Sequence, residues 1–263
     1  MQDPRNHNRI AWDQRAQRGD TFTKPVSPDL LKPERLYPDP WATAEGIEGK
    51  QVLCLGAGGG RQAPVYAAAG ANVTVVDISD RQLDLDRHIA ADQRLSIRAV
   101  CTSMDDLTQL GQSVFDIVIH PVSTCYLPAI APVYKQVASV TKPGGLYISQ
   151  HKQPVSLQAD IKPSPRGYEI ITPADHSGPL PDVVGSPHRE HGTLEYLHSL
   201  EQIVGGLCRA GFCIEDLTEP PHGDRSAAEG SFGHRSRFIN PYLRLKARRV
   251  GAVGERHSTI ITG

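Results

Sequence analysis

The sequence predicts an α/β protein whose sheet is mainly parallel. Short apolar segments rich in β-branched residues alternate with helical segments between about residues 49 and 149, glycine or proline separates many of them, and capping boxes mark helix starts. Strands that alternate with helices at this spacing form βαβ units with right-handed crossovers. We therefore expect an open sheet that carries helices on its faces.

The first predicted βαβ unit contains a glycine-rich loop. The apolar strand Gln51 to Leu55 leads directly into the loop Gly56 to Gly60. A helix follows from about Arg61 to Ala69, and Gly70 ends it. The β-branched segment Val73 to Val76 is then the second strand.

Five further elements complete the first part of the chain. Ser79 and Gln82 form a capping box that opens a helix through about Ala91. The other predicted elements here are strands at Ser96 to Cys101, Phe115 to Ile119 and Leu146 to Ser149, and a helix at about Leu127 to Val140.

Two edge strands are predicted near the C-terminus. Ser199 and Gln202 form a second capping box, and the helix that they open ends at Gly211. The segments Phe212 to Leu217 and Tyr242 to Ala247 alternate apolar and polar residues, which is typical of half-buried strands at a sheet edge.

The segments outside this pattern are rich in proline or polar residues. We expect residues 1–46 to form an N-terminal cap with a short helix around Ile10, Trp12 and Phe22. The main domain would then span residues 47–250. Residues 152–192 are an irregular proline-rich insertion, and residues 251–263 form a flexible tail.

Composition excludes several classes of function. The 263 residues include 28 Lys and Arg and 29 Asp and Glu, so the net charge of −1 gives no electrostatic reason to bind nucleic acid. No apolar run approaches the ~18 residues of a membrane span, and the polar N-terminus indicates a cytoplasmic protein. The five cysteines have no CxxC spacing, which favours buried, reduced thiols over metal or disulfide roles.

The glycine loop is the strongest candidate for a ligand site. Its backbone N–H groups and the following helix N-terminus would favour an anionic group, and a Cβ would block close approach. Asp77 ends the second strand 21 residues after Gly56, the spacing at which a carboxylate reaches ribose hydroxyls. A dinucleotide G-x-G-x-x-G pattern would need Gly or Ala at position 61, where Arg61 stands, whereas Gly56, Gly58 and Gly60 fit G-x-G-x-G.

Six ordered motifs give the chain a family resemblance. They are VLCLGAGGG, VTVVDIS, SMDDL, FDIVIHPVSTCYL, KPGGLYIS and LCRAGFCIEDLTEP. With them, residues 49–217 resemble the class I S-adenosylmethionine-dependent methyltransferases, in particular the small-molecule branch that includes quinone methyltransferases. The resemblance implies a Rossmann-like, doubly wound, seven-stranded and mostly parallel sheet with an antiparallel last strand. It also implies S-adenosyl-L-methionine as the cofactor.

The resemblance assigns cofactor-binding positions by motif. Gly56, Ala57, Gly58 and Gly60 would line the methionine part, Asp77 would bind both ribose hydroxyls, and Ile78 would pack on the adenine. The adenine edge would meet Ser103 and Met104 with Asp105 beside them, and His120 would contact the methionine end. The family usually has acidic residues at the positions of Cys54 and Ser103, and Asp105 or Asp106 is a candidate to replace the second.

Some of these residues also have a purely structural interpretation. Asp77 would cap the next helix, although Ser79 already serves as its N-cap; Asp105 would sit at a helix start; and His120 would be a hydrogen-bonded residue at a strand end.

Methyl transfer requires alignment of a nucleophile with the methyl group and exclusion of water. A histidine would serve where the nucleophile must lose a proton, and His120 and His151 both follow predicted strands, at the edge where ligands bind. His188 and His191 have metal-like spacing, but no Cys or carboxylate cluster completes a metal site.

The predicted function is therefore methyl transfer to a small molecule with an O-, C- or N-nucleophile. We expect residues 152–192 and 218–240 to cover the substrate, and Trp12 to Phe22 to close the cofactor pocket. The alternatives are a nicotinamide-dependent oxidoreductase and a non-catalytic S-adenosylmethionine-binding protein. The sequence identifies neither the acceptor nor the oligomeric state.

Overall fold

Seven strands form one mixed sheet in the computed structural model, which describes residues 3–186 and 188–250. The strands are β1 (Gln51–Leu55), β2 (Asn72–Asp77), β3 (Ile97–Cys101), β4 (Phe115–His120), β5 (Thr141–Lys152), β6 (Phe212–Thr218) and β7 (Tyr242–Arg249). Their order across the sheet is β3-β2-β1-β4-β5-β7-β6. The pairings among β1 to β5 are parallel, and β7 is antiparallel to both of its neighbours, which confirms the predicted architecture.

Helices occupy most of the predicted positions. They are α1 (Pro4–Arg18), α2 (Pro40–Ala44), α3 (Gln62–Ala68), α4 (Asp80–Gln93), α5 (Ala131–Val140), α6 (Pro154–Gln158), α7 (Gly206–Arg209) and α8 (Phe232–Arg235). A π-helical turn at Glu201–Gly205 precedes α7. None of the helices in the described part combines the length and apolar character needed to cross a membrane.

The N-terminal helix is longer than its sequence suggests. It runs for 15 residues because Asp3 caps its first turn and Gly19, at φ +64°, ends it in the left-handed conformation. Two other boundaries also differ. The helix expected from Leu127 begins at Ala131, and β5 extends on both sides of the predicted segment. The insertion is not wholly irregular, since it contains α6.

The sheet separates two hydrophobic cores. Alternate residues of β1 point to opposite faces: Leu53 and Leu55 join the core beneath α5, whereas Val52 and Cys54 join the core that includes Leu83 of α4. Parallel strands buried on both faces account for the nearly continuous apolar segments in the sequence. The helices on both faces make the sheet doubly wound.

The cysteines differ from the expectation of burial. Cys54 and Cys125 are buried, but Cys101, Cys208 and Cys213 are exposed, and all five are free thiols. Cys101 and Cys213 lie on the two edge strands, where alternate side chains face solvent. Apolar neighbours in sequence therefore did not indicate burial.

Candidate active site

A cavity of about 500 Å³ opens at the carboxyl ends of the parallel strands. This is the edge at which ligands bind in open α/β sheets, and the volume lies within the usual range for small-molecule sites. At one end it is lined by the glycine loop and the segments that follow β2 and β3. At the other end it is lined by residues of the insertion, of the loop before β7 and of α1.

The glycine loop lines this cavity, and its backbone passes so close to neighbouring side chains that a Cβ would not fit at Gly56 or Gly58. A Cβ on Gly56 would lie 2.5 Å from Ser123 Oγ, and one on Gly58 would lie 2.7 Å from Gln82 Cβ. Gly56, Ala57 and Gly58 line the cavity, whereas Gly60 does not. Gly60 instead contacts the N-terminal segment, where a Cβ would lie 3.0 Å from that of Pro25.

Asp77 lies at the wall of the cavity and holds the loop in place. Its carboxylate accepts hydrogen bonds from the backbone N–H of Gly58 (2.9 Å) and of Ser79 (2.9 Å). Burial raises the pKa of Asp77 to about 6. Ser79 is the N-cap of α4, since its Oγ accepts from the backbone N–H of Gln82 (3.2 Å). The Asp77 side chain thus has both a site-facing position and a structural role.

A second carboxylate beneath the loop was not predicted. Asp86 of α4 accepts a hydrogen bond from the backbone N–H of Gly59 (3.0 Å), and burial raises its pKa to about 7. The N–H groups of Gly58 and Gly59 are therefore both occupied by acidic side chains. A dinucleotide pyrophosphate is bound by free backbone N–H groups at such a position. This loop instead suits a ligand without a phosphate.

The predicted adenine edge is only partly in the cavity. Ile78, Ser103 and Met104 line it, but Asp105 does not. The Asp105 carboxylate accepts from Ser103 Oγ and pairs with Arg5, whose Nε lies 3.1 Å from Oδ1. Asp105 thus anchors α1 to the loop after β3, next to the position where Ser103 departs from the family.

His120 is buried and lines a second, neighbouring cavity rather than this one. Ser123 Oγ donates to the carbonyl of Pro121 (3.2 Å) and so accepts from His120 Nε2 (2.8 Å), which leaves His120 Nδ1 to accept from Tyr147 Oη (2.7 Å). Burial lowers the pKa of His120 to about 3. The ring is therefore neutral and both nitrogens are in use.

His151 is also buried away from the cavity. Its Nδ1 lies 2.9 Å from Thr124 Oγ1 and its Nε2 lies 2.9 Å from Ser149 Oγ. Burial lowers its pKa well below the usual range. The predicted roles of His120 and His151 as bases gain no support from these positions and stay predictions.

The residues at the far end of the cavity were not predicted individually, although several lie in the segments predicted to cover the substrate or close the cofactor pocket. Aromatic side chains dominate this end, although aromatic residues are only 6% of the chain. The aromatic residues at this end are Trp12, Tyr126, Phe232 and Tyr242, and His222, Glu190 and Gln150 lie among them. Phe22 also lines the cavity but lies beside the glycine loop, where a Cβ on Gly59 would be 2.9 Å from the Phe22 carbonyl oxygen. No sequence motif marks these positions, because they come together only through long-range contacts.

The α1 helix forms one wall of this cavity. The Asn8 side chain donates to the carbonyls of Tyr126 (2.8 Å) and Leu194 (3.0 Å) and accepts from the backbone N–H of Leu194 (2.7 Å). Trp12 packs edge-on against Tyr126 with ring centroids 5.4 Å apart. The helix is therefore fixed by polar contacts to Leu194, just after the insertion, and by polar and aromatic contacts to Tyr126 in the loop after β4.

The Glu190 carboxylate at the cavity wall belongs to a buried cluster of charged side chains. Lys152 Nζ pairs with Glu190 and, at 3.0 Å, with Glu195, while Arg189 pairs with Glu195. The side chains of Lys152 and Glu195 are 3% and 0% exposed. The pKa of Glu190 is lowered by the charge of Lys152, so its carboxylate is ionised at the cavity wall.

Comparisons with known proteins identify the family. Residues 53–149 match a family model described as a methyltransferase domain. The uncharacterized methyltransferase YbaJ of Bacillus subtilis (strain 168) is 34% identical over 236 residues, which cover 82% of this chain and 91% of that protein. The chain belongs to the class I S-adenosylmethionine-dependent methyltransferases. S-adenosylmethionine is accordingly its cofactor, as the resemblance implied.

Other similar proteins agree with this assignment. Ubiquinone biosynthesis O-methyltransferase of Coxiella burnetii is 35% identical over 117 residues, but these cover only 44% of this chain and 48% of that enzyme. Among solved structures, an S-adenosylmethionine dependent methyltransferase from Listeria monocytogenes superposes with a TM-score of 0.62 at 18% identity, covering 80% of this chain and 96% of that one. The 1,6-didemethyltoxoflavin-N1-methyltransferase of Burkholderia thailandensis gives 0.60 at 18% identity, covering 95% and 92%.

Proposed function

We propose that the glycine loop and Asp77 hold S-adenosylmethionine in the cavity, and that the aromatic end holds a small-molecule methyl acceptor. The observation that carries this proposal is the pairing of the Gly58 and Gly59 N–H groups with Asp77 and Asp86. Carboxylates at the loop favour a ligand with a cationic part and repel a pyrophosphate. They argue against the nicotinamide alternative in addition to Arg61.

The lining of the cavity fits the parts of the cofactor. Asp77 supplies a carboxylate acceptor for ribose hydroxyls at the end of β2, and Ile78 and Met104 supply apolar surface for a base. Gly56 and Gly58 leave the backbone uncovered, which permits close approach of the methionine part. When bound, S-adenosylmethionine supplies an electrophilic methyl group on a positively charged sulfur.

The segments proposed to cover the acceptor and to close the cofactor pocket come from both ends of the chain. In support of the predicted substrate cover, Glu190 of the insertion and His222 and Phe232 of the second loop line the cavity. In support of the predicted N-terminal cap, Arg5, Trp12 and Phe22 also line it. We retain the predicted domain spans and the cytoplasmic location as parts of this proposal; the predicted tail, 251–263, lies outside the described residues.

Calorimetric titration tests the proposed site. We expect S-adenosylhomocysteine and S-adenosylmethionine to bind with one-to-one stoichiometry and NAD not to bind. Binding of NAD at similar affinity would contradict the proposal.

Limited proteolysis tests the covering segments. Cleavage in residues 152–192 and 218–240 should slow when S-adenosylhomocysteine and a methyl acceptor are both present. Equal cleavage rates with and without the ligands would contradict the assigned cover. The acceptor itself can be sought by screening metabolites for release of S-adenosylhomocysteine, and release with none of them would favour a non-catalytic binding protein.

A further inference from the structure

One histidine at the cavity has its tautomer fixed by the backbone. His222 Nδ1 lies 2.8 Å from the carbonyl oxygen of Pro220. Because a carbonyl oxygen only accepts, Nδ1 must carry a proton. A neutral imidazole has a single N–H, so His222 Nε2 then carries a lone pair. Nε2 is therefore the ring atom that can accept a proton.

The His222 ring is also held in orientation. It packs edge-on against Phe232, at 5.7 Å between ring centroids and 89° between planes, and against Tyr242, at 5.3 Å and 70°. All three residues line the cavity. His222 is only half-buried, so a proton that it accepts can pass to solvent.

His222 differs in these respects from the histidines that the sequence favoured. Both nitrogens of His120 and of His151 have side-chain partners, and neither ring lines the cavity of the glycine loop. A base must be within hydrogen-bond reach of the proton that it removes. Of these three residues, His222 alone lines this cavity, where an acceptor would bring such a proton.

We infer that His222 is the catalytic base, which takes the proton of an O–H or N–H group on a planar aromatic acceptor. The inference rests on the proposed function, which assigns this end of the cavity to the acceptor. As the acceptor atom bonds to the methyl carbon, the bond between that carbon and sulfur breaks and its electron pair stays on sulfur as a neutral thioether. The acceptor proton goes to His222 Nε2, and the electron pair that bound it stays on the acceptor atom.

The surroundings favour both the substrate class and the proton transfer. Trp12, Tyr126, Phe232 and Tyr242 offer aromatic faces and edges to a planar ring. The ionised carboxylate of Glu190 lines the same cavity, and a negative charge there favours the imidazolium that forms. Lys152, which pairs with Glu190, is buried behind it.

The tautomer can be measured in the ligand-free protein. Long-range ¹H–¹⁵N correlation spectra of the uniformly ¹⁵N-labelled chain, recorded above the titration of imidazole, distinguish the two neutral forms. Wild type minus His222→Gln identifies the His222 signals, which we expect to be those of the Nδ1–H form. His88 is the matched control: it is exposed on α4, and its Nδ1 also lies near a backbone carbonyl, that of Asp84 (2.6 Å). An Nε2–H form at His222 would overturn the inference.

Proton transfer can be measured with 4-nitrophenol as the probe, because its phenolate absorbs at longer wavelength than the phenol. In the presence of saturating S-adenosylhomocysteine, wild type and His88→Gln should ionise the bound probe. His222→Gln should bind it mostly as the neutral phenol, with about tenfold less of the ionised form, equivalent to about one pKa unit. Equal ionisation in His222→Gln, or no binding of the probe to wild type, would overturn the inference.

These outcomes are separable from failure of the proposed function. If S-adenosylhomocysteine does not bind to wild type in the calorimeter, the proposed function fails. If it binds but the tautomer or the probe result is contrary, only the assignment of His222 fails.

Discussion

The two ends of the cavity are built in different ways. At the cofactor end, most of the lining residues lie between Gly56 and Met104, in the glycine loop and at two strand ends. At the acceptor end, Trp12, Tyr126, Glu190 and His222 come from segments far apart in sequence. The first end depends on local geometry, whereas the second depends on long-range packing and a buried charge cluster.

This difference explains why a sequence motif reveals one end of the cavity and not the other. Glycine at a strand-to-helix turn has a local physical cause, so a motif records it. The acceptor end has no such local requirement, because any segment that arrives there can supply a ring or a charge. We therefore expect substitutions at the two ends to have different signatures: loss of cofactor affinity at one and loss of stability or of acceptor binding at the other.

The largest effect should come from Lys152→Met at the acceptor end. Removing the ammonium leaves Glu190 without its charged partner, whereas Glu195 keeps Arg189 and the backbone N–H of Glu190; breaking a buried ion pair in this way typically costs about 3–5 kcal/mol. Urea denaturation would measure the loss. The control is Lys32→Met, since the pair of Lys32 with Asp29 is exposed and should contribute less than about 1 kcal/mol. Equal effects of the two substitutions would show that the buried cluster does not stabilise the insertion.

Gly58→Ala should weaken both stability and cofactor binding. The new Cβ would lie 2.7 Å from that of Gln82 and 3.0 Å from that of Asp77, and overpacking of this kind typically costs about 1–3 kcal/mol. The measurements are thermal unfolding and titration with S-adenosylhomocysteine. Gly206→Ala is the control, because a Cβ there makes an ordinary contact, 3.4 Å from Tyr134, within α7. An unchanged affinity for S-adenosylhomocysteine in Gly58→Ala would show that the loop does not bind the cofactor.

Asp77→Asn should reduce affinity for S-adenosylhomocysteine about tenfold or more, which corresponds to about 1.4 kcal/mol. The substitution keeps the size of the side chain and removes the charge that strengthens hydrogen bonds to ribose hydroxyls. Calorimetry at pH 8, above the pKa of about 6, gives the cleanest comparison. Asp80→Asn, exposed in the first turn of α4, should leave the affinity unchanged. A wild-type affinity in Asp77→Asn would refute the assigned ribose role.

A further effect concerns the pH dependence of stability. The pKa of Asp86 is about 7 in the folded protein and about 3.9 in an unfolded chain, so the folded state binds more protons between these values. Its contribution is therefore greatest below pH 4 and is lost as the pH rises through 7, at no more than about 1.4 kcal/mol per pH unit. His120, buried and neutral, acts in the opposite direction at lower pH.

The difference between wild type and Asp86→Asn isolates this contribution. In urea denaturation between pH 5 and pH 8, the stability of wild type relative to the variant should fall as the pH rises. A difference that does not change with pH would mean that Asp86 ionises normally in the folded protein.

Sequence reasoning recovered the sheet because each strand has a local signature. Gln51 to Leu55 was predicted to the residue, and the antiparallel last strand followed from the family resemblance. The capping box at Ser199 forms in full: the Gln202 N–H donates to Ser199 Oγ (3.1 Å), and the Ser199 N–H donates to Gln202 Oε1 (2.9 Å). At Ser79 only half of the box forms, because the Ser79 N–H donates to Asp77 instead.

The rest was hidden because it depends on which segments meet in space. Asp86 occupies an ordinary helical position, and only its approach to Gly59 makes it part of the loop. His222 is one of eleven histidines, and nothing near it in sequence reveals the bond to Pro220 or the packing on Tyr242. His120 and His151 were predicted as bases because they follow predicted strands, but both side chains are buried.

A crystal structure of the complex with S-adenosylhomocysteine tests the central claim most directly. We predict that both ribose hydroxyls lie within hydrogen-bond distance of the Asp77 carboxylate and that the sulfur faces the end of the cavity lined by His222 and Tyr242. A ribose bound away from Asp77, or a sulfur directed away from that aromatic end, would contradict the account.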